Sequence, residues 1–154
     1  MIWSLNEKGA RQVARILLIE DNNDIQEILY SLLSEGHEVL QAFSGTEGLR
    51  LFQQEAVDLV LLDIMLPGKN GDQVLEEIRL QSQVPVIMMT ALGDKHLISQ
   101  YLLAGANDYI VKPFNLDEVA ARVTVQLRNN NTSAQEPPSS KKLTFKNLVL
   151  NPET

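Results

Sequence analysis

Apolar residues recur along this chain in two rhythms. Five short runs are mostly aliphatic or β-branched: "RILLI" (15–19), "EVLQAF" (38–43), "VDLVLL" (57–62), "VPVIMMT" (84–90) and "DYIV" (108–111). Brief runs of that make-up read as strands. Between them the apolar positions take helical spacing. Ile25, Ile28, Leu29, Leu32 and Leu33 fall on one face of a stretch that stops at Gly36, a residue suited to a helix end. The same periodicity predicts helices over Gly45–Gln53, Gly71–Leu80, Asp94–Ala104 and Asn115–Arg128. Five strand-then-helix units in series favour a parallel sheet with helices on both faces, which explains why strands one and three are apolar on both sides. The expected fold is a doubly wound α/β domain over residues 15–128, preceded by an N-terminal extension, 1–14.

From Asn129 the pattern breaks. "NNNTSAQEPPSSKK" is polar, Pro/Ser-rich and aperiodic, the composition of a flexible linker, here 129–142. "LTFKNLVLNPET" (143–154) then resumes alternation, with Leu143 and Phe145 before a turn-like Lys146-Asn147 and Leu148 and Leu150 after it. It reads as the start of a second, truncated domain or as a tail that pairs with something else, the former being favoured.

Composition narrows the partners. With 13 Lys and Arg against 20 Asp and Glu, the 154-residue chain carries a net charge of −7, which disfavours binding to a phosphate backbone. The absence of cysteine removes disulfides, thiolate metal sites and thiol nucleophiles. No apolar run approaches the roughly 18 residues of a membrane span, and "MIWSLNEKGARQVAR" lacks the apolar core of a signal peptide. A soluble cytoplasmic protein without membrane contact is the simplest expectation.

The strand ends carry the chemistry. In an open parallel sheet, ligands bind outside the carboxyl ends of the strands, near the point where strand order reverses. Strand one is followed by Glu20 and Asp21, strand three by Asp63, strand four ends at Thr90, and strand five leads into Lys112-Pro113. Each has an ordinary explanation alone: Asp21 with Asn22 and Asn23 as a helix cap, Asp63 as a turn residue, Thr90 as a strand end, Lys112 as a solvated lysine. One site accounts for all five together. Three carboxylates and one ammonium leave a charge of −2 in a cleft with apolar walls, where like charges repel strongly. A divalent cation cancels that excess. Oxygen donors alone suit Mg²⁺ or Mn²⁺ rather than zinc, and His37 and His96 fall outside the cluster, as expected surface residues. Held by metal and lysine, Asp63 would offer a free oxygen as a nucleophile toward phosphorus. The cation, Lys112, Thr90 and backbone amides of the Asp63–Leu66 turn would stabilise the charge that develops.

Over roughly Arg15 to Arg128 the motifs "RILLIEDN", "DLVLLDIMLPGKNG", "PVIMMTA" and "GANDYIVKPF" resemble the receiver domain of bacterial two-component response regulators, in that family's order and spacing. The resemblance implies a flavodoxin-like sheet of strand order 2-1-3-4-5 and a phosphoacceptor at Asp63, supplied by a phosphohistidine on a sensor histidine kinase. It implies Mg²⁺ bound by Asp21 and Asp63, by Glu20 through water, and by the main-chain carbonyl of Met65. Lys112 would pair with the phosphoryl group, the Lys112-Pro113 bond would be cis, and Thr90 and Tyr109 would form a switch pair, the hydroxyl moving toward phosphate and the ring turning inward. Kinase specificity is expected on the first helix, around Ile25 to Leu33. "LTFKNLVLNP" resembles the opening strands of the winged-helix domain of the OmpR/PhoB subfamily, which implies transcription control through DNA by an effector domain whose recognition helix this chain lacks.

Members of that subfamily dimerise on phosphorylation through charged residues of helices four and five. Asp108, Glu118 and Arg122 match that pattern, whereas helix four carries Leu97, Ile98, Leu102 and Leu103, which predicts a more apolar face that partly associates before phosphorylation. The opposing reading buries some of these, Leu103 above all. A rival class is the Mg-dependent phosphatase of haloacid-dehalogenase type, which also uses an Asp nucleophile. It needs a second acid two residues on, where this chain has Met65, so slow self-dephosphorylation and a long-lived phosphoform are expected. A flavin module is disfavoured, because "EDNNDIQE" places carboxylates where a phosphate-cradling loop would lie.

Overall fold

A computed structural model describes residues 13–91 and 95–135, with side chains as far as Asn129. Strands and helices alternate without exception among them: β1 (Arg15–Ile19), α1 (Asn23–Leu33), β2 (Glu38–Ala42), α2 (Gly45–Gln54), β3 (Leu59–Asp63), α3 (Gly71–Arg79), β4 (Val86–Ala91), α4 (Lys95–Leu103), β5 (Asp108–Lys112) and α5 (Leu116–Gln135). The five strands form one parallel sheet in the order β2-β1-β3-β4-β5. The doubly wound, flavodoxin-like expectation is therefore met.

Period-two geometry divides the core. Leu17 and Ile19 of β1, with Val60 and Leu62 of β3, face a layer that includes Leu49 of α2 and Val74, Leu75 and Ile78 of α3. Their neighbours Ile16, Leu18, Leu59 and Leu61 face the opposite layer, with Leu29 and Leu33 of α1 and Val119 and Val123 of α5. A strand clamped between two helical layers has no solvent side, and all five residues of β3 are buried. That includes Asp63.

Local chemistry sets where the helices begin. Asn22 caps α1 by accepting from the Ile25 amide at 2.9 Å, Ser44 caps α2 through the Glu47 amide, and Gln73 closes a capping box onto the Asn70 amide, each satisfying an orphan donor of the first turn. Helix α5 departs from expectation. Its backbone runs to Gln135, past Arg128, because Asn, Thr and Ser are only mildly unfavourable in a helix already under way. The remainder of the expected linker, the alternating segment 143–154 and most of the N-terminal extension lie outside the described residues.

Candidate functional site

The turns that leave β1, β3 and β5 carry their acids and amine to one edge of the sheet. Glu20 is 1% exposed and Asp63 5%, whereas Asp21 is open to solvent. One carboxylate oxygen from each of the three lies within 4.8 Å of the others. Lys112 reaches in from β5, with its Nζ 2.9 Å from Glu20 Oε1 and 3.2 Å from Asp63 Oδ1. The second Glu20 oxygen accepts from the Asn22 amide at 3.0 Å. Asn22, rather than Asp21, is the helix cap, so Asp21 remains available to the cluster.

Electrostatics follow from burial. Removal from water pushes the Glu20 carboxyl above its ordinary range, the neighbouring Asp63 charge adds to that, and the bonds from Lys112 and the Asn22 amide only partly oppose it. Burial works to lower the Lys112 ammonium, but the hydrogen bond to Glu20 and the charges of Asp63 and Glu20 together outweigh it, so Lys112 holds its proton more tightly than an ordinary lysine. One ammonium thus serves two buried carboxylates, and the third acid leaves the cluster short of positive charge. The donors are all oxygens, few and at an open edge, a set that fits a hard divalent cation such as Mg²⁺.

The turn after β3 fixes Asp63. The Ile64 amide donates to Met89 O at 3.1 Å and the Gly71 amide to Ile64 O at 2.8 Å, closing the loop. A Cβ at Gly71 would stand 2.6 Å from Asp63 O and 2.7 Å from Ile64 Cα, so only glycine lets α3 begin against this turn. Met65 side-chain atoms point outward, and the residue is 77% exposed.

Other expected residues fall as follows. Thr90 is buried on β4, and its hydroxyl donates to Ala91 O at 3.3 Å rather than to an acid. Tyr109 is half-buried against the α2/α3 layer, with the Arg122 guanidinium 6.0 Å from its ring centroid. Arg122 Nη1 donates to both Asp108 oxygens at 2.9 Å and its Nε to Glu118 at 3.1 Å, so these three residues pair within the chain. On α4, which buries none of its residues, Leu97 and Ile98 are half-buried, Leu102 is exposed and Leu103 is 89% exposed. Leu103 is no core residue. His96 is exposed, but the surface expectation for His37 needs correction: the residue is half-buried, its Nδ1 is enclosed without a hydrogen-bond partner among the described residues, and burial lowers its pKa. The chain turns after α1, with the amides of Gly36 and His37 both donating to Leu33 O, and His37 lines a hollow with Leu32 and Leu33 of α1 and Ala120, Val123 and Thr124 of α5. Sequence reasoning missed Gln26, the buried polar residue of α1. A polar residue on an otherwise apolar helical stripe was the available signal.

A five-stranded parallel sheet of this order, with acids and a lysine gathered at the carboxyl edge, defines a flavodoxin-like signalling class more narrowly than the fold alone. Known proteins agree. The response regulator receiver domain family matches residues 16–124, and the chain belongs to that family. It is 43% identical over 136 residues to an uncharacterized transcriptional regulatory protein, YcbL, of Bacillus subtilis (strain 168), covering 87% of this chain and 60% of that protein. It is 46% identical over 121 residues to the probable transcriptional regulator ycf27 of Guillardia theta, covering 78% and 48%. The chain thus spans about half to three-fifths of the length of these relatives. Among solved structures, a CheY-like response regulator receiver domain protein from Methanospirillum hungatei JF-1 is 31% identical and superposes with a TM-score of 0.75 over 79% of this chain and 99% of that one.

Proposed function

We propose that Asp63 is the phosphoacceptor of this receiver domain and that a sensor histidine kinase is the donor. The observation that carries the reading is a carboxylate 5% exposed at the end of β3, 3.2 Å from an ammonium and grouped with two further acids. An Asp63 oxygen attacks phosphorus, the P–N bond of the phosphohistidine breaks, and the imidazole leaves with the bonding pair and takes up a proton. Lys112 pairs with the incoming phosphoryl oxygens. Glu20, Asp21 and Asp63, with the Met65 carbonyl, would hold Mg²⁺ or Mn²⁺. Such a cation neutralises the acids and acts as a Lewis acid toward the phosphoryl oxygens.

Phosphorylation adds about one to two negative charges at the edge of the sheet. In this reading the Thr90 hydroxyl exchanges its bond to Ala91 O for a phosphoryl oxygen, and the half-buried Tyr109 ring moves into the space behind it. The α4-β5-α5 face then pairs with a second copy, using Ile98 and Leu102 beside the Asp108–Arg122–Glu118 network. Residues 143–154 would open an effector domain through which the whole protein acts on DNA, as the relatives' descriptions as transcriptional regulators suggest, and the cytoplasm would be its compartment.

A haloacid-dehalogenase-type phosphatase is the second reading. It requires a second acid two residues beyond the nucleophile to activate water and protonate the leaving group, and that position here is the exposed thioether of Met65. The test is intact-mass analysis after incubation with a small phosphodonor and Mg²⁺. One added phosphate on the native chain and none on Asp63→Asn is the expected result, and equal labelling of both would place the acceptor elsewhere.

A further inference from the structure

Helix α1 buries three side chains, Leu29, Leu33 and Gln26. An amide 1% exposed is costly unless its hydrogen bonds are met, and those of Gln26 are. Its Nε2 donates to Ala42 O at 2.7 Å, Glu20 O at 3.0 Å and Leu18 O at 3.2 Å, while its Oε1 accepts from Gln41 Nε2 at 2.9 Å. Two N–H groups serve three carbonyls, so one is shared. All three carbonyls lie where β1 and β2 end. The amide of Glu20 makes the last bond between those strands, to Ala42 O at 3.0 Å, and Gln26 extends the tie by one peptide.

That peptide is the one joining Glu20 to Asp21. Holding its carbonyl toward α1 fixes its plane, and with it ψ of Glu20 and φ of Asp21, the torsions that aim the two consecutive carboxylates. Glu20 has other restraints, from Lys112 and the Asn22 amide. Asp21 has none: its carboxylate accepts no hydrogen bond among the described residues, so the main chain alone directs it at Glu20 and Asp63. We infer that Gln26 is a positioning residue of the cation site, whose amide locks the Glu20–Asp21 peptide and so points the Asp21 carboxylate into the cluster. The inference rests on the cation reading given above. Gln41, at the far side of the amide, donates to its oxygen and touches none of the three donor bonds that hold it in place.

Calorimetric titration of Mn²⁺ into the full chain tests this, comparing the native sequence with Gln26→Met and Gln41→Met. Gln26→Met keeps the side-chain length and removes the donors. Cation affinity should fall about tenfold or more, the usual effect of losing a group that orients a ligand. Labelling by a small phosphodonor should return to the native rate once the cation is saturating, so that the cation concentration for half-maximal rate rises while the maximal rate holds. Gln41→Met should bind as the native chain does. Gln26→Asn, whose amide is one methylene short of the carbonyls, carries the same expectation as Gln26→Met should the latter not fold. Native affinity in a folded Gln26 variant with a lowered melting temperature would show a role in stability alone and overturn the inference. Absence of Mn²⁺ binding by the native chain would instead bring down the cation reading itself.

Discussion

Replacing Lys112 by methionine tests the electrostatics of the site most directly, because it removes the charge and keeps most of the volume. The Nζ stands 2.9 Å from Glu20 Oε1 and 3.2 Å from Asp63 Oδ1, and the lysine side chain is 23% exposed. At an effective dielectric of about 20 the two attractions amount to about 6 and about 5 kcal/mol before any solvation cost. Desolvation of the three groups offsets most of that sum. What remains measurable is the penalty of leaving Glu20 and Asp63 buried without a partner, about 3–5 kcal/mol for breaking such a contact. For a domain of this size that is a fall in Tm of roughly 10–20 °C at neutral pH.

The pH dependence fixes the sign. Glu20 already has a folded-state pKa above its ordinary value of 4.5, through burial first, and loss of the ammonium raises it further. A carboxyl whose folded pKa is raised costs nothing below its unfolded value, costs more as pH rises through the window between the two, and levels off above the folded value. The deficit of Lys112→Met should therefore be largest at neutral pH and shrink on mild acidification. Mg²⁺ should restore part of it, since a ligand of the folded state alone stabilises by mass action. Thermal unfolding followed by circular dichroism, at neutral and weakly acid pH with and without Mg²⁺, reads all three effects. A loss under about 1 kcal/mol at neutral pH, or one that neither acid nor cation diminishes, would show that Lys112 does not hold the two buried carboxylates.

Three further outcomes are expected. Met65→Glu, which places an acid two residues beyond the acceptor, should shorten the lifetime of the phosphorylated protein at least tenfold, given that a positioned general base contributes about 10²–10⁴-fold; an unchanged decay of the phosphorylated mass would refute this. Gly71→Ala drives a methyl into Asp63 O and Ile64 Cα and should cost about 1–3 kcal/mol while slowing labelling of Asp63. A melting curve and labelling rate identical to the native ones would show that the turn yields freely. Leu103→Glu, at an 89% exposed position on a helix that buries none of its residues, should leave the unfolding free energy within about 0.5 kcal/mol of native and weaken self-association; sedimentation of the native chain as a strict monomer, with and without an acyl-phosphate mimic, would dispose of the apolar face.

Much of the fold was written locally. A strand or helix is a statement about residues two to four positions apart, so "RILLI" or the Ile25–Leu33 stripe could be read one segment at a time. Strand ends are local too, and in a parallel sheet all carboxyl ends share an edge, which is why the grouping of Glu20, Asp21, Asp63 and Lys112 could be expected before any distance was known. Two local signals misled. Polar composition after Arg128 suggested a break where the backbone stays helical to Gln135, and the hydrophilic character of His37 suggested surface, although its Nδ1 is enclosed.

How the charges pair follows from the packing of the elements. Lys112 meets Glu20 across 92 positions of sequence, a contact set by strand order and register that leaves no periodic trace in either segment. The same holds for Gln26, whose three carbonyl partners come from the ends of two strands, and for the pairing of Arg122 with Asp108, which joins α5 to β5. The amino-acid pattern settles which residues stand at the edge of the sheet, because each apolar run gives way to turn residues within a few positions. The three-dimensional packing determined which of them are dry, which are paired and which remain free to act, because solvation and Coulomb energy depend on distance in space rather than along the chain.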